Sequence, residues 1–422
     1  MSTSDTHRAI EAVWRIEAAR LIAGLTRIVR DVGLAEELAQ DALVVALEKW
    51  PESGIPDNPG AWLMATAKHR ALDHFRRNKL LERKHEELGR ELKSQQESAL
   101  ANFDIQEQGE IEDDLLRLVF ISCHPILSTE ARVALALRLL GGLTTVEIAR
   151  AFLTPEPTIA QRIVRAKRTL SEAGVPFEVP AANERTARLS SVIEVIYLIF
   201  NEGYSATAGN DWMRPELCGE ALRLGRILAE LTPNEAEVHA LVALMEIQAS
   251  RFGARTTPTG EPILLLEQNR ALWDQLLIRR GLAALDRALQ AGAAGSYVLQ
   301  AAIAACHARA HTAEETDWPQ IADLYAQLAA LTPSPIVQLN RAVAVAMASG
   351  PAAGLELVAS LAAEPSLKNY HLLPAVRGDF LSKLGRFEEA REEFARAATL
   401  TKNARERELL LDRARKASSG TV

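Results

Sequence analysis

Cysteine is scarce in this chain: Cys123, Cys218 and Cys306 are scattered over 422 residues. Three distant thiols build no disulfide framework, so a reducing cytoplasm is the expected compartment. Long apolar runs are also missing. None approaches the ~18 residues of a membrane span, and no membrane contact is expected. The opening stretch, MSTSDTHRAIEAVWRIEAARL, has no basic flank followed by an apolar core and does not read as a signal peptide. There is no phosphate-cradling glycine loop, no nucleophile elbow and no His/Glu pair in zinc-protease spacing. The nearest approach to a metal site is CHARAH, with His307 and His311 one helical turn apart. It has no further clustered ligands and reads as helix surface. No enzymatic activity, metal or cofactor is expected.

What is present is ordinary globular composition, 48% apolar and 24% charged, enough for two to four domains. The net charge is −7, but its distribution says more than its sum. Residues 1–60 hold 6 basic and 10 acidic side chains, whereas residues 61–85 hold 7 basic and 2 acidic. Residues 86–142 return to 5 against 11, and residues 143–172 are basic again, 5 against 3. Two basic islands thus stand in an acidic chain. A polyanion would be met at two separated places, with the acidic parts facing protein or solvent. Solvated helix faces give the same pattern where no motif accompanies them.

Nearly everything reads as helix. Ile10, Val13, Trp14, Ala18, Leu21, Ile22 and Leu25 recur at three- and four-residue steps, an amphipathic face. A second helix, LAEELAQDALVVALEKW, follows Gly33 and is expected to stop at Pro51. PESGIPDNPG, rich in proline and glycine, must be loop. A third helix, AWLMATAKHRALDHFRRNKLLERK, sets Lys68, Arg70, Arg76 and Arg77 opposite its apolar residues. Residues 86–109 are polar and weakly periodic, a linker. Two more helices follow, split at Cys123-His124-Pro125, the second starting at Ser128 and closing at Gly141-Gly142.

LTTVEIARAFLTPEPTIAQRIVRAKRTL then reads as a short helix capped by Thr144 or Thr145, a tight turn, and a longer helix from about Pro157 to Leu170. Ile159, Ile163, Ala166 and Leu170 face in, leaving Arg162, Arg165, Lys167 and Arg168 outside. A major groove about 12 Å wide admits one such helix. A helical hairpin in a bundle that touches no DNA gives a similar pattern.

Together these stretches resemble the sigma-70 family of bacterial RNA polymerase subunits, in the two-domain form called extracytoplasmic-function (ECF) sigma factors. AEELAQDALVVALEKW is similar to the family's core-polymerase-binding helix. AWLMATAKHRALDHFRR is similar to the helix that engages the −10 element, and LTTVEIARAFLTPEPTIAQRIVRAKRTL to the −35-reading helix-turn-helix. The ordered matches cover about residues 8–172.

The resemblance implies core RNA polymerase and promoter DNA as partners, with Glu37, Gln40 and Asp41 as contacts to the polymerase clamp. It implies a base-capturing pocket between the proline-rich loop and the third helix. Ser53, Asp57 and Asn58 are its polar loop candidates, Lys68, Arg70, Arg76 and Arg77 its phosphate contacts, and Trp62 either a stacking platform or a core residue. His69 stands where the family usually has Asn, a larger group that leaves base preference open. Trapping unstacked bases offsets an unstacking cost of a few kcal/mol per base. In the helix-turn-helix, Glu156, Thr158, Gln161, Arg162 and Arg165 are candidates for base edges and nearby phosphates, and Lys167 and Arg168 for phosphates.

Residues 185–418 read as helices of 12–18 residues joined by short Gly/Pro turns, with LTP recurring at 231–233 and 331–333. Gly385, Ala390, Phe394 and Ala397 have tetratricopeptide spacing, so a helical-repeat (TPR-like) array with a protein or peptide ligand is expected. A packed helical domain without a ligand is the alternative. The arrangement resembles a subgroup of those sigma factors whose extension is thought to control activity. IYLIFNEGYSAT resembles a motif of that extension, which implies that Phe200, Asn201, Glu202 and Tyr204 could dock on the sigma domains.

The expected fold is therefore all-α: sigma domain 2 over 8–85, a linker over 86–109, sigma domain 4 over 110–174 and the repeat domain over 185–418. The expected function is promoter recognition for core RNA polymerase, regulated through the extension. A stand-alone helix-turn-helix regulator, or a scaffold acting through its repeats, is the alternative. It has no need of a clamp helix followed by a basic, base-capturing helix, and both are present.

Overall fold

A computed structural model describes residues 3–82, 108–152, 154–292 and 295–418. Among these residues the protein is all-α, with eighteen helices and one two-residue parallel strand pair. Contacts divide the chain into two compact units, residues 1–196 and 197–422. The expected linker, 86–109, lies outside the described residues apart from Gln108 and Gly109.

The first unit begins with α1 (Thr3–Val29), α2 (Val32–Ser53) and α3 (Pro59–Glu82). Ala18, Leu21, Ile22 and Leu25 of α1 are buried, as are Leu38, Ala42, Ala46 and Trp50 of α2 and Leu63, Ala67 and Ala71 of α3. Asp31 starts α2 by accepting a hydrogen bond from the Leu34 amide at 2.8 Å. The helix does not stop at Pro51 but runs two residues further. A proline in the last turn forfeits one backbone bond, and the turn closes at Gly54 (φ 84°), whose amide bonds Trp50 O at 3.0 Å.

A second body follows: α4 (Gln108–Ser122), α5 (Thr129–Leu139), α6 (Thr145–Ala151) and α7 (Glu156–Glu172). The unit then continues further than expected, because α8 (Ala182–Tyr204) begins here and its first turns bury Leu189, Ser191, Val192 and Ile193. Ser191 Oγ donates to Cys123 O at 2.7 Å, and Arg132 of α5 reaches both Ser191 and Glu194, the latter at 3.0 Å. The boundary with the second unit falls inside α8.

The second unit continues with α9 (Pro215–Leu231), α10 (Ala236–Ala249), α11 (Gln275–Gln290), α12 (Ser296–Arg309), α13 (Trp318–Leu331), α14 (Pro335–Ser349), α15 (Pro351–Leu361), α16 (Leu372–Lys383), α17 (Phe387–Leu400) and α18 (Ala404–Ser418). From α12 onward each helix packs on the next. Both LTP phrases separate helices, as expected. Ala390, Phe394 and Ala397 are buried in one cluster beneath a turn made by Gly385 at φ 74°.

One stretch departs from the helical expectation. Residues 250–274 form no α-helix, only three single 3-10 turns and an isolated bridge between Thr256 and Pro262. Gly253, Pro258, Gly260 and Pro262 explain it, since two prolines and two glycines in ten residues forbid a helical run.

Candidate nucleic-acid interface

Helix α3 buries Leu63, Ala67 and Ala71. His69, Arg70 and Arg76 are exposed and Lys68 is half-buried, while the side chain of Arg77 lies outside the described residues. Arg76 has a loose ion pair with Asp73 at 3.7 Å. Trp62 is half-buried and packs edge-on against the buried Trp50, ring centroids 5.2 Å apart. Half of that indole is therefore core. Of the loop polars, Asn58 accepts from the Ala61 amide at 3.1 Å and so starts α3. Ser53 Oγ donates back to Lys49 O at 3.0 Å. Asp57 is exposed beside them.

The helix-turn-helix has the expected inner face, with Ile159, Ile163, Ala166 and Leu170 buried. Thr144 caps α6: its Oγ accepts from the Glu147 amide at 3.2 Å, and Glu147 accepts from the Thr144 amide at 2.7 Å. This reciprocal box answers which threonine caps. Glu156, Gln161, Arg165 and Arg168 are exposed, and Thr158 and Arg162 are half-buried. Arg168 bonds Glu172 at 2.7 Å, one turn on.

Lys167 is the exception. Instead of pointing outward it is 19% exposed and pairs with Glu36 of α2. Glu36 is buried and also accepts from Arg138 Nε at 2.6 Å. Two cations on one buried carboxylate join the helix-turn-helix body to α2. Arg15 with Glu147 at 2.9 Å, and Ser171 Oγ donating to Asp31 at 3.1 Å, reinforce the same junction. Reading the sequence missed Glu36, although Val32, Glu36, Ala39 and Leu43 share one helical stripe and an acid among three apolar residues signals a buried carboxylate.

On α2, Glu37 and Asp41 are exposed, whereas Gln40 is half-buried and donates to Glu36. Val44 and Leu47, one and two turns on, are exposed apolar residues. They line a cleft of about 390 Å³ with Trp14, Gln40, Leu43 and Glu147. Its charged lining has both signs, Glu11, Glu36 and Glu147 with Arg15 and Arg138, and such a mixed rim around apolar side chains suits a protein partner better than a polyanion.

At the start of the second unit, Phe200 is core and Cys218 Sγ donates to its carbonyl at 3.3 Å. Glu202 pairs with Arg214 and accepts from Thr207 Oγ at 2.9 Å. Tyr204 stacks on Phe200 at 5.7 Å between centroids, and Asn201 is exposed. Three of these four residues thus build the local packing.

Comparison with known proteins agrees with this geometry. Residues 15–80 match sigma-70 region 2, residues 117–170 match sigma-70 region 4, and residues 188–289 match a family of unknown function, DUF6596. An uncharacterized protein of Rhizobium meliloti (strain 1021) is 44% identical over 393 residues, spanning 91% of this chain and 90% of that protein. SigI of Mycobacterium tuberculosis, described as a probable ECF RNA polymerase sigma factor, is 25% identical over 179 residues, 42% of this chain and 60% of its own length. Region 2 coincides with α1–α3, and region 4 with the body that ends in the helix-turn-helix. The chain thus carries sigma-70 regions 2 and 4, is similar over part of its length to a probable ECF sigma factor, and continues into a long C-terminal extension.

Proposed function

We propose that the protein binds core RNA polymerase through the outer face of α2, directs it to promoters through α3 and α7, and is regulated through its extension. One observation carries this reading: within the first unit, Glu37, Asp41, Val44 and Leu47 are exposed together on α2, while exposed basic side chains stand on α3 and α7. Glu37, Gln40 and Asp41 lie with Val44 on the surface for the polymerase clamp. Lys68, His69, Arg70, Arg76 and Arg77 hold the −10 strand, with Ser53, Asp57, Asn58 and Trp62 at the base pocket. Glu156, Thr158, Gln161, Arg162, Arg165 and Arg168 serve the −35 duplex, while Lys167 holds α7 to α2 through Glu36. Because polymerase supplies much of the DNA affinity, neither basic face needs to bind tightly alone, which accommodates the net negative charge.

The extension is a TPR-like array with a protein or peptide ligand, and Phe200, Asn201, Glu202 and Tyr204 link it to control of the sigma domains. The test is run-off transcription with purified core RNA polymerase on the protein's own upstream DNA. Full-length protein, Asp41→Lys and a chain ending at Tyr204 are compared. The last keeps the whole of α8, whose first turns cover Arg132. Transcripts that depend on the full chain and fall at least about tenfold with Asp41→Lys support the reading, a loss of roughly 1.4 kcal/mol in binding. A changed yield from the shortened chain gives the sign of regulation. Absence of both transcript and polymerase binding rejects the reading and leaves the stand-alone regulator.

A further inference from the structure

The non-helical stretch of the second unit assembles three buried arginines without an ion pair. Arg251, Arg255 and Arg270 are 7%, 7% and 9% exposed. Among the described residues none of them forms an ion pair. Arg255 lies over the Tyr204 ring at 3.6 Å and donates to Tyr204 O. Arg270 lies over Trp273 at 5.0 Å and spends its terminal nitrogens on His307 O, Ala310 O and Thr316 Oγ at 2.8–2.9 Å.

Arg251 sits between them, 5.8 Å from the Tyr204 ring and 5.7 Å from that of Trp273. Its guanidinium makes no hydrogen bond to any described residue, and its Nε is fully enclosed without a partner. Nε of Arg270, Nε1 of Trp273 and Nδ1 of His307 are enclosed without partners as well. Removing a guanidinium from water without an anion is expensive, and soluble proteins almost always pair such a group. Other partly buried arginines of the second unit do meet a carboxylate: Arg214 meets Glu202, and Arg226 meets Glu246 at 2.9 Å.

We propose that this cluster is a binding site for the oxyanion of a small ligand, a phosphate or a carboxylate, seated on the Arg251 guanidinium between Arg255 and Arg270 and flanked by Tyr204 and Trp273. Guanidinium forks match both oxyanions, and enclosed N–H groups strengthen such bonds. The site is nine-tenths buried, so it takes a chemical group and not a macromolecular surface. Arg251, Arg255 and Arg270 all ride on the non-helical stretch 250–274, so admitting a ligand requires no helix to unwind. The mutual charge is felt: after burial, Arg251 is the next cause that pushes Arg255 and Arg270 below the usual arginine range, with Tyr204 acting the other way on Arg255 and Glu314 and Glu315 acting the other way on Arg270. This inference is independent of the promoter-binding reading, since every residue in it lies beyond the two sigma-70 regions.

The test is thermal unfolding of the full chain with inorganic phosphate or acetate, each against sodium chloride at equal ionic strength. A saturable rise in Tm of at least about 3 °C is expected from one or both anions. Phosphate alone marks a phosphoryl ligand, and acetate a carboxylate. Arg251→Gln should abolish the rise while leaving the unliganded Tm unchanged or higher, because it deletes a buried charge that has no partner. Arg255→Gln is the second variant if the first does not fold. No saturable rise from either anion, or an equal rise in Arg251→Gln, overturns the proposal.

Discussion

At the residue scale, Glu36 shows how one buried acid holds two bodies of the first unit together. Its partners Arg138 and Lys167 are themselves about four-fifths buried. Glu36→Gln keeps the volume but leaves both cations short of an anion. The expected loss is about 3 kcal/mol, read as a lower urea midpoint with an unchanged slope. Arg165 stands exposed on the same helix as Lys167, so Arg165→Ala should stay within about 0.5 kcal/mol of the parent stability. It should still weaken −35 DNA binding and lower the salt slope by about one. Lys167→Met, by contrast, should lower stability, because it strips one cation from the buried Glu36. If Lys167→Met leaves stability untouched, the Glu36 junction is not formed in solution.

His307 offers a pH prediction at the same scale. Burial first, then Arg251 and Arg270, push it down to about 3. The folded chain keeps it neutral, whereas the unfolded chain protonates it below about pH 6.5. Between pH 6.5 and 3 the unfolded state therefore holds more protons, and stability falls as pH falls, by up to about 1.4 kcal/mol per pH unit. His307→Asn should flatten that loss between pH 7 and 5 in urea titrations. Equal losses in both proteins would show that His307 is not held neutral.

At the element scale, close helix contact in the second unit depends on small residues. A Cβ on Gly281 of α11 would lie 2.6 Å from Ile247 Cγ1 and 3.1 Å from Ala243 O of α10. Backbone cannot yield as a side-chain tip can, so Gly281→Ala should push α10 and α11 apart. The helix propensity gained, about 1 kcal/mol, works in the opposite direction. Overpacking costs about 1–3 kcal/mol, so net destabilisation is expected as a lower Tm. A stabilised variant would show that the two helices separate freely.

The same scale shows what could be read from the chain. Apolar residues at three- and four-residue steps gave away the helices, and their order gave away both sigma regions. The inward stripe Ile159, Ile163, Ala166 and Leu170 is an example: a helix docked by one face must repeat its apolar residues near 3.6. Residues 250–274 have no period, because their fold rests on contacts with distant residues such as His307 and Thr316. Arg251 and Arg165 look alike as letters, and only tertiary packing buries one and exposes the other. Lys167 was misplaced for that reason too, and nothing local marks where α8 passes from one unit to the next.

At the scale of the whole molecule, the extension is closed by a contact between its two ends. Ala208–Gly209 pairs in parallel with Lys402–Asn403, nearly two hundred residues later. Asn403 is 1% exposed, and its Nδ2 donates to Ala206 O at 3.0 Å and Asp211 O at 2.9 Å. Its Oδ1 accepts from the Arg405 and Glu406 amides at 3.0 and 3.2 Å, which starts α18. One side chain thus caps the last helix and ties it to the first turn of the extension. A string of helices that each touch only their neighbours unfolds piecemeal from its ends, and a tie between the ends makes it cooperative. Asn403→Ala leaves two enclosed carbonyls unmatched and removes a cap, an expected cost of about 2–4 kcal/mol. The larger signature is hydrogen exchange: amides of α18 and α17 should lose protection well before those of α10 and α11. Asn403→Asp keeps the cap but not the donor, so it should restore the start of α18 without restoring the closure. Uniform loss of protection across the extension in Asn403→Ala would mean that its helices form one cooperative core without the tie.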